Sequence, residues 1–427
     1  MKILVIGSGG REHAICYAFS KSQRVTKIYC ANGNAGIASI AELVDIKPDE
    51  IGRLADFAEN EAIDLTFVGG ETSLALGVVD EFEARGLKII GASKAAARLE
   101  ASKAFAKDFM KRYGIPTADY AVAMSPAEAI ELLETGRFGD ASTPVVVKAD
   151  GLAAGKGVVV ANDRAEAIDA INELESLVGA DAASTIVLEE CLFGREVSLI
   201  LFADGESFAL MPPTRDHKRI GEGDTGPNTG GMGTFTDDSL LSSQQAAEII
   251  DTVIRPTLKG CSDEGFRFRG ILFLGLMMTE AGPKVLEYNV RFGDPETQAI
   301  LIRLETDLVE ICEAMLAGRL GETEIKWRAG SSACVILAAE NYPAKPRTGD
   351  VINGLNEAAA HKDVVTFHAG TMLDDRGSFV TSGGRVLGVT AVGEDLASAL
   401  EKAYAAAGEI TWPGMQLRRD IGKPAGS

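Results

Sequence analysis

Apolar runs alternate with amphipathic stretches over the first hundred residues. Short buried-strand patterns lie at residues 2–6, 25–31, 64–68 and 87–90, and helical patterns such as 12–19 separate them. Strands that alternate with helices favour an open parallel sheet covered by helices. The pattern therefore predicts an α/β domain at the start of the chain.

The pattern changes after residue 100. One helix is predicted over 96–113, and Ile115-Pro116-Thr117 ends it. A strand, a helix, a hairpin, a helix and a strand follow, up to Glu190. From Trp327 onward short strands dominate, with a single late helix at about 396–407. We therefore predict an N-terminal domain (1–100), a central domain (101–326) with a lid at about 115–190, and a small mostly β C-terminal domain (327–427).

The composition limits the kinds of partner that we expect the chain to bind. The 427 residues suggest about three domains, and 46% of them are apolar. Lys and Arg total 42 against 62 Asp and Glu, a formal charge of −20. This balance argues against nucleic acid or an anionic membrane as partner, because both bind basic surfaces. An anionic substrate would need locally concentrated Lys, Arg, backbone N–H groups or metal.

The cysteines and the apolar runs bear on the cellular location of the protein. The six cysteines are scattered without a CxxC pair, and the four histidines are not spaced for zinc. We therefore expect reduced, buried thiols in a cytoplasmic enzyme. The N-terminal apolar run is too short for a secretion signal, and the longest run, 271–278, is too short for a membrane span.

A Gly-rich turn, Gly7-Ser8-Gly9-Gly10-Arg11-Glu12, follows the first strand and opens a helix. Backbone N–H groups at such a helix start can bind an anion. A dinucleotide fingerprint would need glycine at position 12 and an acid where Ala31-Asn32 stand. NAD is therefore disfavoured, which leaves a tight structural turn or a phosphate or substrate contact from Gly9, Gly10 and Arg11.

A second Gly-rich loop, with Gly151, Gly155 and Gly157, joins two apolar strands. It is not a Walker A loop, because Gly157 replaces the Ser or Thr after Lys156 and a strand follows instead of a helix. Glycines allow such a loop to fold over a triphosphate, and Lys148 and Lys156 supply positive charge. The alternative is a flexible hairpin with solvated lysines.

The apolar strand at 186–188 ends at Glu189 and Glu190, and Leu192 and Glu196 follow. Edge backbone there could pair with an adenine, and a carboxylate could hold the ribose hydroxyls. A solvated strand end would have the same pattern, so this signal alone is weak.

A polar strand end forms the clearest metal signal. In a strand, Glu287 and Asn289 project to one face, whereas Leu286 and Tyr288 project to the opposite, apolar face. A carboxylate and an amide oxygen side by side suit Mg²⁺ between phosphates. Arg291 continues on that face and can hold a carboxylate or phosphate as a fork. A merely structural polar strand end is the alternative.

Residues 216–233 form a long, polar, Gly-rich stretch that we expect to be a structureless loop. Loops of this length inside a compact domain are usually functional. The substrate-binding candidates in it are Asp216, His217, Lys218, Asn228, Gly230 and Gly231.

Together these motifs carry a family resemblance. The motifs are Gly9-Gly10-Arg11-Glu12-His13, the segment 148–157, Asp216-His217-Lys218-Arg219, the segment 225–233, and Arg291-Phe292-Gly293-Asp294-Pro295-Glu296-Thr297. In this order they resemble the phosphoribosylamine–glycine ligase family of the ATP-grasp superfamily. Weaker agreement at 348–350, 368–371, 383–387 and 420–422 extends the resemblance over essentially the whole chain.

The resemblance implies an ATP-grasp fold with an N-terminal α/β domain, a nucleotide-clasping lid and a C-terminal domain. It implies ligation of glycine to phosphoribosylamine with ATP and Mg²⁺ or Mn²⁺. We expect a monomer or weak homodimer. The resemblance also implies metal ligation by Glu287 and Asn289, and nucleotide contacts from Lys103, Lys148, Glu189 and Glu196. For the catalytic and substrate sites we expect Arg291, Lys148, Asp216 and Lys218, together with Gly293 and Asp294.

Two departures from the family pattern and three rival functions remain. Gly69-Gly70-Glu71-Thr72-Ser73-Leu74 replaces the usual Gly-Pro-Glu-x-Pro-Leu. Many ATP-grasp enzymes carry a further acid on the strand before the metal pair, but the strand 270–276 has none, an absence that the family shares. The rivals are another ATP-grasp ligase or carboxylase, a nicotinamide dehydrogenase, and a non-catalytic nucleotide-binding module.

Overall fold

The computed structural model describes residues 1–151 and 157–423. The predicted residues Gly155 and Lys156 lie outside the described residues. Its α-helices, numbered α1 to α15 in chain order, are Gly10–Ser20, Ile51–Asn60, Glu71–Leu76, Val78–Ala84, Lys94–Ala101, Lys103–Arg112, Pro126–Glu134, Arg164–Val178, Ala180–Ala183, Ser243–Ile249, Arg255–Asp263, Glu296–Leu301, Leu308–Ala317, Leu355–Ala359 and Leu396–Glu409.

Its β-strands, numbered in the same way from β1 to β22, are Lys2–Gly7, Lys27–Asn32, Glu42–Val44, Leu65–Val68, Ile89–Ile90, Tyr120–Ala123, Val145–Ala149, Val158–Ala161, Ile186–Glu190, Arg195–Asp204, Phe208–Leu210, Thr214–Asp216, Arg219–Gly221, Thr225–Asn228, Gly233–Thr236, Arg269–Thr279, Gly282–Asn289, Ser331–Ala338, Val364–His368, Thr371–Leu373, Phe379–Thr381 and Arg385–Gly393.

The N-terminal strands form a parallel sheet in the order β3-β2-β1-β4-β5. Side chains from both faces of β1 are buried, because helices cover the sheet on either side. This confirms the predicted α/β arrangement. The short edge strand β3 had not been predicted, since its three residues carry no clear alternation.

A large antiparallel sheet runs in the order β17-β16-β10-β12-β15-β18-β22-β19. It crosses the boundary expected near Trp327, because β15 pairs with β18 from Gly233 opposite Val335 to Thr236 opposite Ser332. The C-terminal segment therefore extends the sheet of the central segment.

The lid strands form a separate antiparallel sheet, β6-β9-β7-β8. It packs with α7 and α8 around its own apolar cluster, which includes Val147, Ile171 and Leu188. Because this cluster is separate from those of the other sheets, the lid has an independent core. Its base lies against the β16–β17 hairpin, where Val285 N donates to Pro116 O at 2.8 Å.

The helix predicted over 96–113 is wrong in one respect, because the structure has two helices that meet at Ser102. Ser102 Oγ accepts from Phe105 N at 3.1 Å and caps α6. Asp150, at the end of β7, accepts from Ala104 N at 3.1 Å and from Ser102 Oγ at 3.1 Å. The break therefore ties the start of α6 to the base of the Gly-rich loop.

Two further expectations are corrected. The stretch 216–233 is not structureless, because β13 and β14 pair within it, with Arg219 opposite Asn228. The cysteines are all free, but Cys191 is only partly buried, whereas the other five are buried. No helix in the described part of the chain is long and apolar enough to span a bilayer.

Candidate active site

The predicted metal strand, β17, contains a bulge beside the candidate ligands. Gly275 of β16 pairs with Glu287 and Leu276 pairs with Val285, so Leu286 is an extra residue in the ladder. The prediction that Leu286 shares the face of Tyr288 is therefore wrong. Val285 and Tyr288 are buried in the core, whereas Leu286 lines a small cavity with Glu196 and Lys218.

The bulge leaves Glu287 in the cleft among cations. Burial raises the pKa of Glu287, but the surrounding charges of Lys218, Lys148, Lys103 and Arg291 outweigh burial and lower it below the ordinary value. Among the described residues, no group donates a hydrogen bond to this carboxylate. Glu287 is thus ionised and open to a ligand, and glycine at position 275 leaves room for it.

Two lysines frame the base of the lid, and we call this part of the cleft the lysine end. Lys103, the first residue of α6, donates to Gly151 O at 2.8 Å. Lys148, on β7, donates to Leu286 O at 3.1 Å and lies 2.8 Å from Glu189 Oε1. Both ammonium groups therefore lie between the lid and β17, where an anion between the two sheets would meet them.

Glu189 is oriented differently from the expectation of a direct nucleotide contact. Its side chain is 2% exposed, and its Oε2 accepts from Lys107 Nζ at 2.7 Å. Glu190 points away from this pair, since it accepts from Lys284 Nζ at 2.9 Å and from Asp119 N at 3.0 Å. The two neighbouring acids therefore stabilise opposite faces of β9.

Leu192 lies on the connection from the lid to β10, and Glu196 is the second residue of β10. Glu196 Oε2 accepts from Lys218 Nζ at 3.3 Å, and both side chains are about half exposed. The nearby Glu196 carboxylate is the largest cause of the raised pKa of Lys218. Lys218 thus carries its charge on the same side of the sheet as Glu287.

Arginines dominate the opposite part of the cleft, the arginine end, which comprises Arg11, Arg291, Asp294 and Arg385. Arg291 Nε donates to Glu71 Oε2 at 3.2 Å, and its Nη2 lies 2.8 Å from Glu100 Oε1. Arg291 Nη2 also donates to Asn289 Oδ1 at 3.0 Å. The guanidinium is therefore held rigidly beside the metal strand.

Arg11 reaches the same place from the N-terminal domain. Its Nε donates to Glu12 Oε1 at 2.6 Å, and its Nη1 donates to Phe292 O at 3.1 Å. Burial lowers the pKa of Arg11, but Glu12, Glu71 and Asp294 outweigh burial and raise it. Arg11 therefore remains charged at the junction of the N-terminal and central segments.

Glycines let the N-terminal loop approach this end closely. A Cβ at Gly9 would lie 2.9 Å from Glu12 Oε2 and 3.2 Å from Asp294 Oδ2, and one at Gly10 would lie 2.6 Å from Gln298 Nε2. Gly9 N donates to Glu12 Oε2 at 2.6 Å. Side chains at these positions would push the loop away from Asp294.

Arg385 joins the C-terminal segment to the arginine end. Its Nη1 donates to the carbonyls of Gly230 and Asp294, and its Nη2 lies 3.3 Å from Asp294 Oδ2. Burial raises the pKa of Asp294, but Arg385 and Arg11 outweigh burial and lower it. The loop around Gly293, next to Asp294, is thus fixed from two sides.

Asp216 lies in the floor of the cleft against the glycines of the polar loop. A Cβ at Gly231 would lie 2.8 Å from Asp216 Oδ1, which also accepts from His217 N at 2.7 Å. Burial and the nearby Glu296 carboxylate raise the pKa of Asp216 well above its usual range. Asp216 is therefore a site for a proton, not only for a charge.

Two candidates of the polar loop are not brought into this cluster. His217 is buried, and its Nδ1 lies 3.3 Å from Gly233 O while its Nε2 accepts from Gly422 N at 3.3 Å. Both ring nitrogens thus contact backbone, which gives His217 a structural position. Asn228 lies on the β13–β14 hairpin, opposite Arg219.

Several residues that the sequence analysis did not select belong to the cluster. Glu71 follows the altered Gly69-Gly70 turn, and Arg385 lies in a weakly matching motif, so both had a signal. Glu100 and Lys107 had none, because each stands in an ordinary helical pattern.

Comparison with known proteins agrees with this geometry. Models of the phosphoribosylglycinamide synthetase N domain, ATP-grasp (A) domain and C domain match residues 1–100, 101–297 and 332–424. The chain belongs to the phosphoribosylglycinamide synthetase family. As a member of this family it is an ATP-dependent ligase.

Relatives and solved structures of the phosphoribosylglycinamide synthetase family match over nearly the whole chain. A phosphoribosylamine–glycine ligase from Xanthomonas axonopodis pv. citri is 47% identical over 426 residues, which are 99% of this chain and 97% of the relative. The crystal structure of phosphoribosylamine–glycine ligase from Thermotoga maritima has a TM-score of 0.82 and 35% identity, and covers 99% of this chain and 100% of its own.

The fold also extends to more distant proteins. The biotin carboxylase domain of Hydrogenobacter thermophilus 2-oxoglutarate carboxylase has a TM-score of 0.73 at 17% identity, and covers 97% of this chain and 91% of its own. At this identity the likeness concerns the fold alone. The match of residues 101–297 to the ATP-grasp (A) domain model confirms the predicted ATP-grasp architecture.

Proposed function

We propose that this chain joins glycine to 5-phosphoribosylamine, with conversion of ATP to ADP and phosphate, to give glycinamide ribonucleotide for purine synthesis. The observation that carries the proposal is Glu287, an ionised carboxylate without a hydrogen bond from any described residue, placed where the lysine end and the arginine end meet. Family membership over all three segments supports the choice of substrates.

The first step is transfer of the γ-phosphoryl group to glycine. Glycine's carboxylate is a poor electrophile until it carries phosphate. Phosphoryl transfer depends mostly on positioning and charge neutralisation. We assign Lys103 and Lys148 to the phosphates at the base of the lid, and the Arg291 fork to glycine's carboxylate or the phosphoryl group that reaches it.

The side chains at the end of β17 fit a divalent cation. Glu287 offers a carboxylate, and Asn289 offers an amide oxygen two residues further along. Such hard oxygen ligands suit Mg²⁺, which commonly completes its shell with phosphate and water. When bound, the cation would neutralise phosphate charge. The same oxygen ligands also suit Mn²⁺.

The second step is attack of the phosphoribosylamine amine on glycyl phosphate, with release of phosphate. Gly9, Gly10, Arg11 and Asp294 meet at one place, where a phosphosugar could bind between the N-terminal and central segments. Asp216, with its raised pKa, is suited to hold a proton near this step. Closure of the lid would protect the acyl phosphate from water.

Release of ADP tests this function directly. Purified protein should release ADP with Mg²⁺-ATP only when glycine and phosphoribosylamine are both present. The other ATP-grasp ligases and carboxylases, which are the second candidate, predict release with bicarbonate or another amino acid instead. Release that ignores glycine would refute the proposal.

A further inference from the structure

A buried carboxylate beneath the lysine end is shared by two lysines. Glu189 Oε2 accepts from Lys107 Nζ at 2.7 Å, and Lys148 Nζ lies 2.8 Å from Glu189 Oε1. Both Lys107 and Glu189 are about 2% exposed or less. Two ammonium groups on one carboxylate leave an excess of one positive charge, and this excess faces the cleft through Lys148.

Both lysines are also connected to neighbouring carbonyls of β17. Lys148 Nζ donates to Leu286 O at 3.1 Å. Lys107 Nζ donates to Thr117 Oγ1 at 2.7 Å, and Thr117 Oγ1 donates to Val285 O at 2.6 Å. The contacts therefore form a ring that begins at the Leu286 carbonyl of β17 and ends at the neighbouring Val285 carbonyl. We call Lys107, Thr117, Glu189 and Lys148 the carboxylate ring.

The ring closes where the β17 ladder is irregular. Leu286 is the extra residue of the bulge, and Glu287 follows it directly. A bulge disrupts the ladder locally, and buried carbonyls then need other donors. Thr117 and Lys148 supply those donors on either side of the bulge. The same bulge directs Leu286 and Glu287 toward the cleft.

We propose that Lys107 and Thr117 are positioning residues for nucleotide phosphates, acting through Glu189, Lys148 and the bulge of β17. Lys107 is buried, and the Thr117 hydroxyl is engaged by Lys107 Nζ and Val285 O. Lys107 neutralises the Glu189 carboxylate, so that the charge of the Lys148 ammonium remains available to an incoming anion. Thr117 holds the Val285 carbonyl, so that Glu287 keeps its register relative to Lys148. The proposal rests on the assignment of the lysine end to ATP.

A matched pair at Thr117 tests the ring with little change of shape. Thr117→Val removes the hydroxyl and keeps the volume, whereas Thr117→Ser keeps the hydroxyl. Affinity for Mg²⁺-ADP is measured by calorimetry, and KM for ATP and for glycine by ADP release. Thr117→Val loses the hydrogen bond from the charged Lys107 ammonium. The affinity for ADP should therefore fall, and the KM for ATP should rise, by roughly tenfold. Thr117→Ser should stay within about twofold, and the KM for glycine should stay unchanged in both.

Lys107→Met tests the charge of the ring. It removes the second ammonium and keeps an apolar stem of similar length, so Lys148 must neutralise Glu189 alone. We expect ADP affinity to fall roughly 10- to 100-fold, because Lys148 then balances the buried Glu189 carboxylate alone and no excess positive charge faces the phosphates. Lys111→Met, on the exposed side of α6, is the control and should bind ADP normally.

The outcomes separate this proposal from the assignment of function. Unchanged ADP affinity in folded Thr117→Val would overturn the ring, as would equal losses in Thr117→Val and Thr117→Ser. A lower melting temperature with normal ADP affinity would reduce these residues to structural ones. If wild-type protein bound ADP but failed to use glycine, the substrate assignment would fall while the ring could still be tested.

Discussion

The two ends of the cleft hold positive charge in different ways. At the lysine end, Lys103 donates to a lid carbonyl and Lys148 shares Glu189 with a second lysine. At the arginine end, the fork of Arg291 contacts Glu71, Glu100 and Asn289 together. A lysine is a point charge on a flexible stem, whereas an arginine is a planar fork.

The difference matches what each end is proposed to bind. Lys148 lies on the lid strand β7, and Lys103 on α6 is bonded to the lid carbonyl of Gly151. The charges of the lysine end would therefore follow the lid in the proposed closure over the nucleotide. The arginine end lies between the segments that meet at Asp294, where Arg385 and Arg11 hold the loop from opposite sides. We infer that the lysine end adapts to its ligand and that the arginine end is preorganised.

The largest expected effect is at Glu287, where the two ends meet. Glu287→Gln keeps the shape and removes the charge, so it tests electrostatics rather than packing. Loss of one preorganised electrostatic partner commonly costs roughly 10²–10³ in rate, and we expect at least this loss. Turnover is measured against Mg²⁺ at saturating ATP, with folding checked by circular dichroism. Normal turnover of the folded variant would place the metal elsewhere.

Arg291→Lys tests the preorganised end. It keeps the charge but loses the fork to Glu71 and Asn289, so we expect roughly a 10- to 100-fold loss in kcat/KM for glycine. Arg24→Lys is a matched control, because Arg24 forms a two-point contact with Glu313 on the surface. An Arg291→Lys enzyme with unchanged rate and glycine dependence would remove Arg291 from the site.

Lys148→Ala tests the adaptable end. Nucleotide affinity and turnover should fall together, roughly tenfold or more, because a charge-assisted contact is lost and Glu189 keeps only Lys107. Lys284→Ala is the control, since Lys284 pairs with Glu190 on the other side of β9. Binding by calorimetry and ADP release decide the result. Survival of both affinity and turnover would mean that the nucleotide lies elsewhere.

The smallest expected effect concerns the junction that supports the arginine end. His13 Nδ1 accepts from His368 N at 2.9 Å, and burial lowers the pKa of His13 from 6.5 to about 3. A histidine whose pKa is lowered in the folded state makes its full contribution to the free energy of unfolding above pH 6.5. This contribution is lost as pH falls toward 3. The free energy of unfolding should therefore decrease from pH 7 to pH 5, by about 1 kcal/mol or more from His13.

Denaturant unfolding of His13→Gln at both pH values checks this contribution. Glutamine can accept the same hydrogen bond but does not titrate, so the variant should depend less on pH than the wild type. His361→Gln, at a more exposed histidine, is the control. An identical pH dependence in His13→Gln and the wild type would show that His13 does not titrate on unfolding.

Much of the architecture could be predicted from local pattern. The alternation of strands and helices predicted the parallel sheet. Two apolar strands joined by a Gly-rich loop predicted the lid hairpin of β7 and β8. Short motifs also indicated charged groups of the cleft, such as Lys148 before the Gly-rich loop and Glu287 at the polar strand end. These features depend on neighbours within a few residues, which the sequence displays directly.

The tertiary structure decided which groups pair. Helix α6 begins at Lys103, after the cap Ser102, because Asp150, 48 residues from Ser102, binds the helix N-terminus. Leu286 faces the cleft because a bulge forms against β16, and His217 is structural because Gly422 N–H binds its ring. The sequence by itself determined the charged and flexible groups available to the site. Only chain folding brought their partners from distant positions, since buried polar groups must find partners wherever the fold supplies them.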